Sequence, residues 1–159
     1  MASATTTTNT RTLECLQRSQ ANSICMYLNA KRYHWYTFGP LFRDLHHLFD
    51  EIAMAHFEDM DPFGERLRIL GGDASSSPDE IRSHSTVGFS TLRDSVAEML
   101  SEALANERRV IEEMREGASR AEEEHDPGSV DLFSKSIQNH EKYAWFLQET
   151  VRRGDGVVS

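Results

Sequence analysis

Apolar residues recur every three or four positions through most of the chain, the spacing expected of helices that bury one face. From about Arg11 to Thr37 they fall at Leu16, Ile24, Tyr27 and Leu28, and Phe38-Gly39-Pro40 then supplies a stop and a restart. Leu41 to Leu70 repeats the period with Leu41, Leu45, Leu48, Phe49, Ile52, Met60, Leu67 and Leu70. Gly71-Gly72 closes it, since glycine accepts the backbone that helix C-termini favour. Asp73 to Ser90 is rich in Ser, Asp, Gly and Pro and reads as a long connection, within which Pro78 to Arg82 has the makings of one short helix. A third pattern runs from Leu92 through Val96, Met99, Leu100, Ala103, Leu104, Val110, Ile111 and Met114 into Glu122-Glu123-Glu124, where Asp126-Pro127-Gly128 breaks it. Phe133, Ile137, His140, Ala144, Leu147 and Val151 mark the fourth.

Four long helices with one long link in the middle predict an all-α four-helix bundle whose crossover, between the second and third helices, carries a short helix. Two short turns and no long link would give a simple up-down order. Residues 11–153 form the expected bundle, 1–10 a polar Ser/Thr/Ala tail and 154–159 a flexible end.

Composition narrows the class. The chain has 159 residues, 38% hydrophobic and 27% charged, which suits one domain with a sizeable core. It has no apolar run of about 18 residues, and its first residues lack the basic start and apolar stretch of a signal peptide. The expectation is a cytoplasmic protein without a membrane partner. Cys15 and Cys25 match neither a metal knuckle nor a disulfide framework and read as reduced packing residues. A formal net charge of −9 repels polyanions and favours metal cations, so bulk charge argues against direct DNA binding.

Candidate chemistry lies on the second helix. His46 with Asp50, and Asp61 with Glu65, are i,i+4 pairs that each project two ligand-type side chains from one helix face. His34 lies on the stripe of Leu16, Ile24 and Tyr27 near the end of the first helix, and the tight turn brings it beside His46 and Asp50. The two pairs are fifteen residues apart, or roughly 22 Å along a straight helix. Either they are two weak sites, or a second subunit completes each. An antiparallel two-fold neighbour would set the His46 end of one helix against the Asp61 end of the other. Imidazole with carboxylate suits Fe(II), with Zn or Mn as surrogates, better than Cu(I).

His34-Trp35, Gly39-Pro40-x-Phe42, Leu45-His46, Phe49-Asp50, Asp61, Glu65-Arg66 and Leu70-Gly71-Gly72 together resemble the Dps family of ferritin-like mini-ferritins, named for DNA protection during starvation. The resemblance covers Leu13 to Val151, and the steps from His34 to His46, Asp50, Asp61 and Glu65 match the family's ferroxidase pattern. It implies a ferritin-like dodecamer built from two-fold dimers. His34, His46 and Asp50 of one subunit would meet Asp61 and Glu65 of its partner to oxidise Fe(II), with hydrogen peroxide as oxidant, and Fe(III) mineral would be stored inside. Trp35 is similar to the family's tryptophan near the iron centre, where an indole intercepts radical equivalents. The other reading of Trp35 is a buried aromatic.

By the same resemblance Asp126 and Asp131 line the three-fold pores through which iron passes, and Glu51 nucleates mineral on the inner wall. The competing view of Asp126 and Asp131 is helix N-terminal decoration. Pro62 departs from the pattern and is expected to kink the second helix beside a half-site. His47 is expected to face solvent, and His140 to pack in the core on a hydrogen bond. His56, His84 and His125 fall outside the pattern, and the lone Glu122-x-x-His125 is discounted because ferritins use that motif in pairs. Two other functions stand beside iron oxidation: a nucleoid-associated DNA-protecting protein, which the acidic charge and the few basic residues of the ends disfavour, and a structural metal-binding cage without turnover.

Overall fold

The computed structural model describes residues 10–152. The expected tail at 1–9 and the end at 153–159 lie outside the described residues. Those described form five helices: α1 Thr10–Tyr36, α2 Phe42–Ile69, the short α3 Pro78–His84, α4 Val96–Glu123 and α5 Pro127–Val151.

Each boundary has a local cause. Gly39, at φ 90°, takes a left-handed conformation that costs other residues a Cβ clash, and its carbonyl accepts the Phe42 N–H at 3.0 Å as α2 begins. Ser77 and Glu80 form a reciprocal capping box around Pro78 at the start of α3. Helix α4 starts at Val96 rather than Leu92, because the Ser95 side chain accepts the Glu98 N–H and caps the helix there. Leu92 packs against the core from the crossover, which is why it keeps the helical period without being helical. Asp126 caps α5 by accepting the Ser129 N–H at 3.1 Å. Helix α2 runs through Pro62 unbroken; the proline is exposed.

Side-chain contacts fix the topology. Glu116, Glu113 and Glu102 of α4 meet Arg18, Asn22 and Tyr33 of α1 in that reverse order, so α1 and α4 are antiparallel. On α5, Ser129 and His140 meet Arg66 and Asp59 of α2, again antiparallel. Since α1 and α2 form a hairpin, α2 and α4 run parallel, and the crossover through α3 is required to join them.

The apolar core divides in two. One cluster holds Leu45, Phe49, Ile52, Met99, Leu100, Leu104 and Leu147, and the other Leu16, Phe63, Leu67, Val110, Met114 and Phe133. Along α2 the gap between them holds His56, along α4 Glu107 and along α5 His140, all three buried. A polar layer thus crosses the middle of the bundle. Cys15 and Cys25 are buried free thiols, and burial pushes Cys25 up to about 11.

Candidate metal centres

The turn at Gly39 folds α2 back along α1 so that the His34 and His46 rings stack, with centroids 3.6 Å apart and planes 17° from parallel. His34 Nδ1 donates to the His46 carbonyl oxygen at 2.5 Å, and His46 Nδ1 donates to the His34 carbonyl oxygen at 2.8 Å. A carbonyl only accepts, so each Nδ1 carries a proton, and in the neutral ring the lone pair lies on Nε2. That is the tautomer a metal ligand needs.

Asp50 stands one turn further along α2, where Lys31 Nζ bonds its carboxylate. This hydrogen bond and charge hold the Asp50 carboxyl below the usual range, so it is ionised well into acid.

The structure brings together His34, His46 and Asp50 but not Asp61 and Glu65. The last two are exposed on the same helix, roughly 22 Å from His46 by helical rise. They border an open hollow with Ile24, Phe57, Met60 and Ile69, and neither forms an ion pair with a described residue. Large apolar side chains are exposed beside both half-sites: Leu28, Trp35 and Tyr36 on α1, Phe42, Phe57 and Ile69 on α2. Trp35 is 66% exposed in the single chain, so its own subunit does not bury it. Glu51 and His47 are exposed as well.

Asp126 and Asp131 separate in role. Asp126 is buried, accepts from the Ser129 N–H and hydroxyl and pairs with Arg66. Burial pushes its carboxyl up, but those partners outweigh it and leave the carboxyl below its ordinary value. A carboxylate so engaged is not free to line a pore. Asp131 is exposed and pairs with Lys135 at 2.8 Å.

A second constellation lies in the polar mid-layer. His56 Nε2 is 2.8 Å from Glu107 Oε1, His140 Nδ1 is 3.0 Å from Glu107 Oε2, and His140 Nε2 donates to Asp59 Oδ2 at 2.9 Å. The two imidazoles stack at 4.1 Å. Burial and the charge of His140 push His56 down. Burial opposes ionisation of Glu107 and protonation of His140, but each charge stabilises the other more strongly, so Glu107 is an anion and His140 a cation. The hydrogen-bonded core role expected of His140 is present; His56, outside any sequence pattern, is its neighbour. Glu107 also escaped notice, although it falls on the buried stripe of Leu104 and Ile111.

Comparison with known proteins places this architecture. The family model described as a ferritin-like domain matches residues 13–157. Dps from Thermosynechococcus elongatus is 44% identical and superposes with a TM-score of 0.92, covering 99% of this chain and 100% of that one. "DNA protection during starvation protein 1" of Deinococcus radiodurans is 34% identical over 85% of this chain, which spans 66% of that relative's length. "General stress protein 20U" of Bacillus subtilis is 26% identical over 86% of this chain and 94% of its own. The fold and the family model define a ferritin-like protein. Within that class, the chain belongs to the Dps family. No helix among the described residues is long and apolar enough to cross a membrane.

Proposed function

We propose that the chain is a subunit of an iron-oxidising and iron-storing cage, with ferroxidase centres assembled from two protomers. The observation that carries the reading is the division of α2. One end presents two imidazoles whose Nδ1 atoms are held by carbonyls beside an ionised carboxylate, and the other presents two exposed carboxylates that pair with no cation among the described residues. An antiparallel two-fold contact along the exposed apolar face of α1 and α2 joins each end to its complement and covers Trp35, Phe57 and Ile69. Membership of the family supports a dodecamer as the closed form.

In this reading His34, His46 and Asp50 hold ferrous iron with Asp61 and Glu65 of the neighbouring protomer, and Lys31 yields Asp50 to the metal. Each Fe(II) loses one electron. One hydrogen peroxide takes two of them and two protons, its O–O bond breaks, and two waters form. Few protein ligands leave coordination positions open to the oxidant. Trp35, beside His34, is placed to be oxidised by radical equivalents that escape. Ferric ions move to an inner wall where Glu51 nucleates mineral, and Asp131 draws cations through the three-fold pores by its exposed charge. Asp126 instead anchors the start of α5.

The test loads metal-free protein with ferrous iron under anaerobic conditions, adds hydrogen peroxide and follows ferric absorbance. His46→Ala and Asp61→Ala should each lose rapid oxidation, and dissociating and mixing the two should restore part of it, because one dimer site in the hybrid is intact. A parent no faster than iron and peroxide in buffer sinks the enzymatic reading.

A further inference from the structure

The buried layer between the two core clusters is costly as a purely structural device. Burying an imidazole–carboxylate network usually gives less stability than apolar side chains of the same volume. Its geometry also leaves two groups short. Glu107 Oε2 and His140 Nδ1 stand 3.0 Å apart, yet neither makes a hydrogen bond of proper alignment, and both atoms are buried. Glu107 is fully buried and His140 nearly so. The second Glu107 oxygen and His56 Nε2 complete the convergence, and one ligand atom from each of the three residues lies within 4.8 Å of the others.

We propose that His56, Glu107 and His140 form a metal site inside each subunit, separate from the half-sites on its surface, which takes one divalent transition ion of the zinc type. Two imidazole nitrogens and a carboxylate oxygen are the ligand set of three-ligand, tetrahedral zinc centres. Asp59 accepts the His140 Nε2 proton at 2.9 Å, so the proton a divalent ion would displace from the imidazolium is the one on Nδ1, which faces Glu107. Asp59 is a positioning residue. A small cavity of about 10 Å³ borders the cluster on the side of Ser19, Asn22 and Ser23, with space for one water as fourth ligand. Helix α1 offers no carboxylate at this cavity, and the one carboxylate that lines it, Asp59 of α2, is engaged by His140, which leaves ligands for one ion. The bound ion would tie α2, α4 and α5 together at the level where the apolar core is interrupted.

The test uses full-length protein carrying His46→Ala and Asp61→Ala, which cuts both surface half-sites, so its result is independent of the ferroxidase reading. Titration with Co(II) should give one ion per subunit and the visible absorption of a four-coordinate centre. Adding Asp59→Asn should weaken binding about ten- to a hundredfold, as loss of an orienting partner does. Adding His56→Leu, which keeps the site filled, should abolish the band. Zinc-soaked crystals of the parent should show an anomalous peak between the three side chains. No four-coordinate cobalt bound by the double variant, an unchanged band in His56→Leu, or no zinc peak in the mid-layer would each overturn the proposal.

Discussion

His34 and His46 hold one another through their backbones: each ring's Nδ1 donates to the other residue's carbonyl oxygen, and the rings stack between. Two helix ends are thereby latched, and on the proposed reading both Nε2 atoms are the ones turned to iron. Removing one ring removes a ligand and frees the other to rotate. His34→Ala should therefore lower peroxide-driven iron oxidation by at least about tenfold, comparable to loss of a ligand or its orienting partner. Stopped-flow ferric absorbance checks this, and a parental rate in the variant contradicts it.

Ile69 is 70% exposed at the end of α2, beside the hollow bordered by Asp61 and Glu65. An apolar side chain in that position is explained by a covering partner. Ile69→Asp should shift the protein to smaller species in sedimentation velocity at equal protomer concentration, with helicity unchanged by circular dichroism. An unchanged distribution would place the contact elsewhere.

Asp126 ties three elements: it caps α5, binds the Ser129 hydroxyl and pairs with Arg66 of α2. Asp126→Ala loses the cap and strands the guanidinium, a combined cost of about 2–4 kcal/mol. The native carboxyl is depressed, so its contribution is present above the unfolded pKa, near about 4, and fades as pH falls through the lower native value. The stability difference between parent and variant should hold from pH 7 to about pH 5 and narrow below about pH 4. Denaturation midpoints at fixed concentration give the comparison.

Gly117 of α4 packs against the Phe133 ring of α5. A Cβ there would lie 2.4 Å from Phe133 Cζ, and Phe133 is fully buried, so the ring has little room to yield. Gly117→Ala should cost about 1–3 kcal/mol despite alanine's higher helix propensity. Equal thermal midpoints would show that Phe133 repacks freely.

The sequence is legible where distance along the chain fixes distance in space. An i,i+4 pair must share a helix face, and a link of five residues between α1 and α2 must return His46 to His34, so that half of the site could be read without coordinates. Leu92 misled because it packs on the core while Ser95 decides where the helix starts. Asp126 could be seen near a helix N-terminus, but not that Arg66, sixty residues earlier, would claim its carboxylate. The mid-layer was hidden for the same reason. Helical period turns Glu107 inward, but only the axial registers of α2, α4 and α5, set by ridge packing across the bundle, bring His56 and His140 to its height.

Helix α2 carries an imidazole end at His46 and a carboxylate end at Asp61 and Glu65, too far apart to meet. On the reading proposed here a solitary chain has no complete centre, and oxidation begins only on pairing. At dilutions where dimers dissociate, the initial rate should then rise with the square of protomer concentration and become linear once pairing saturates. A freshly synthesised chain would be inert towards iron until it found a companion, so mineral would begin to form only where a shell was already closing around it.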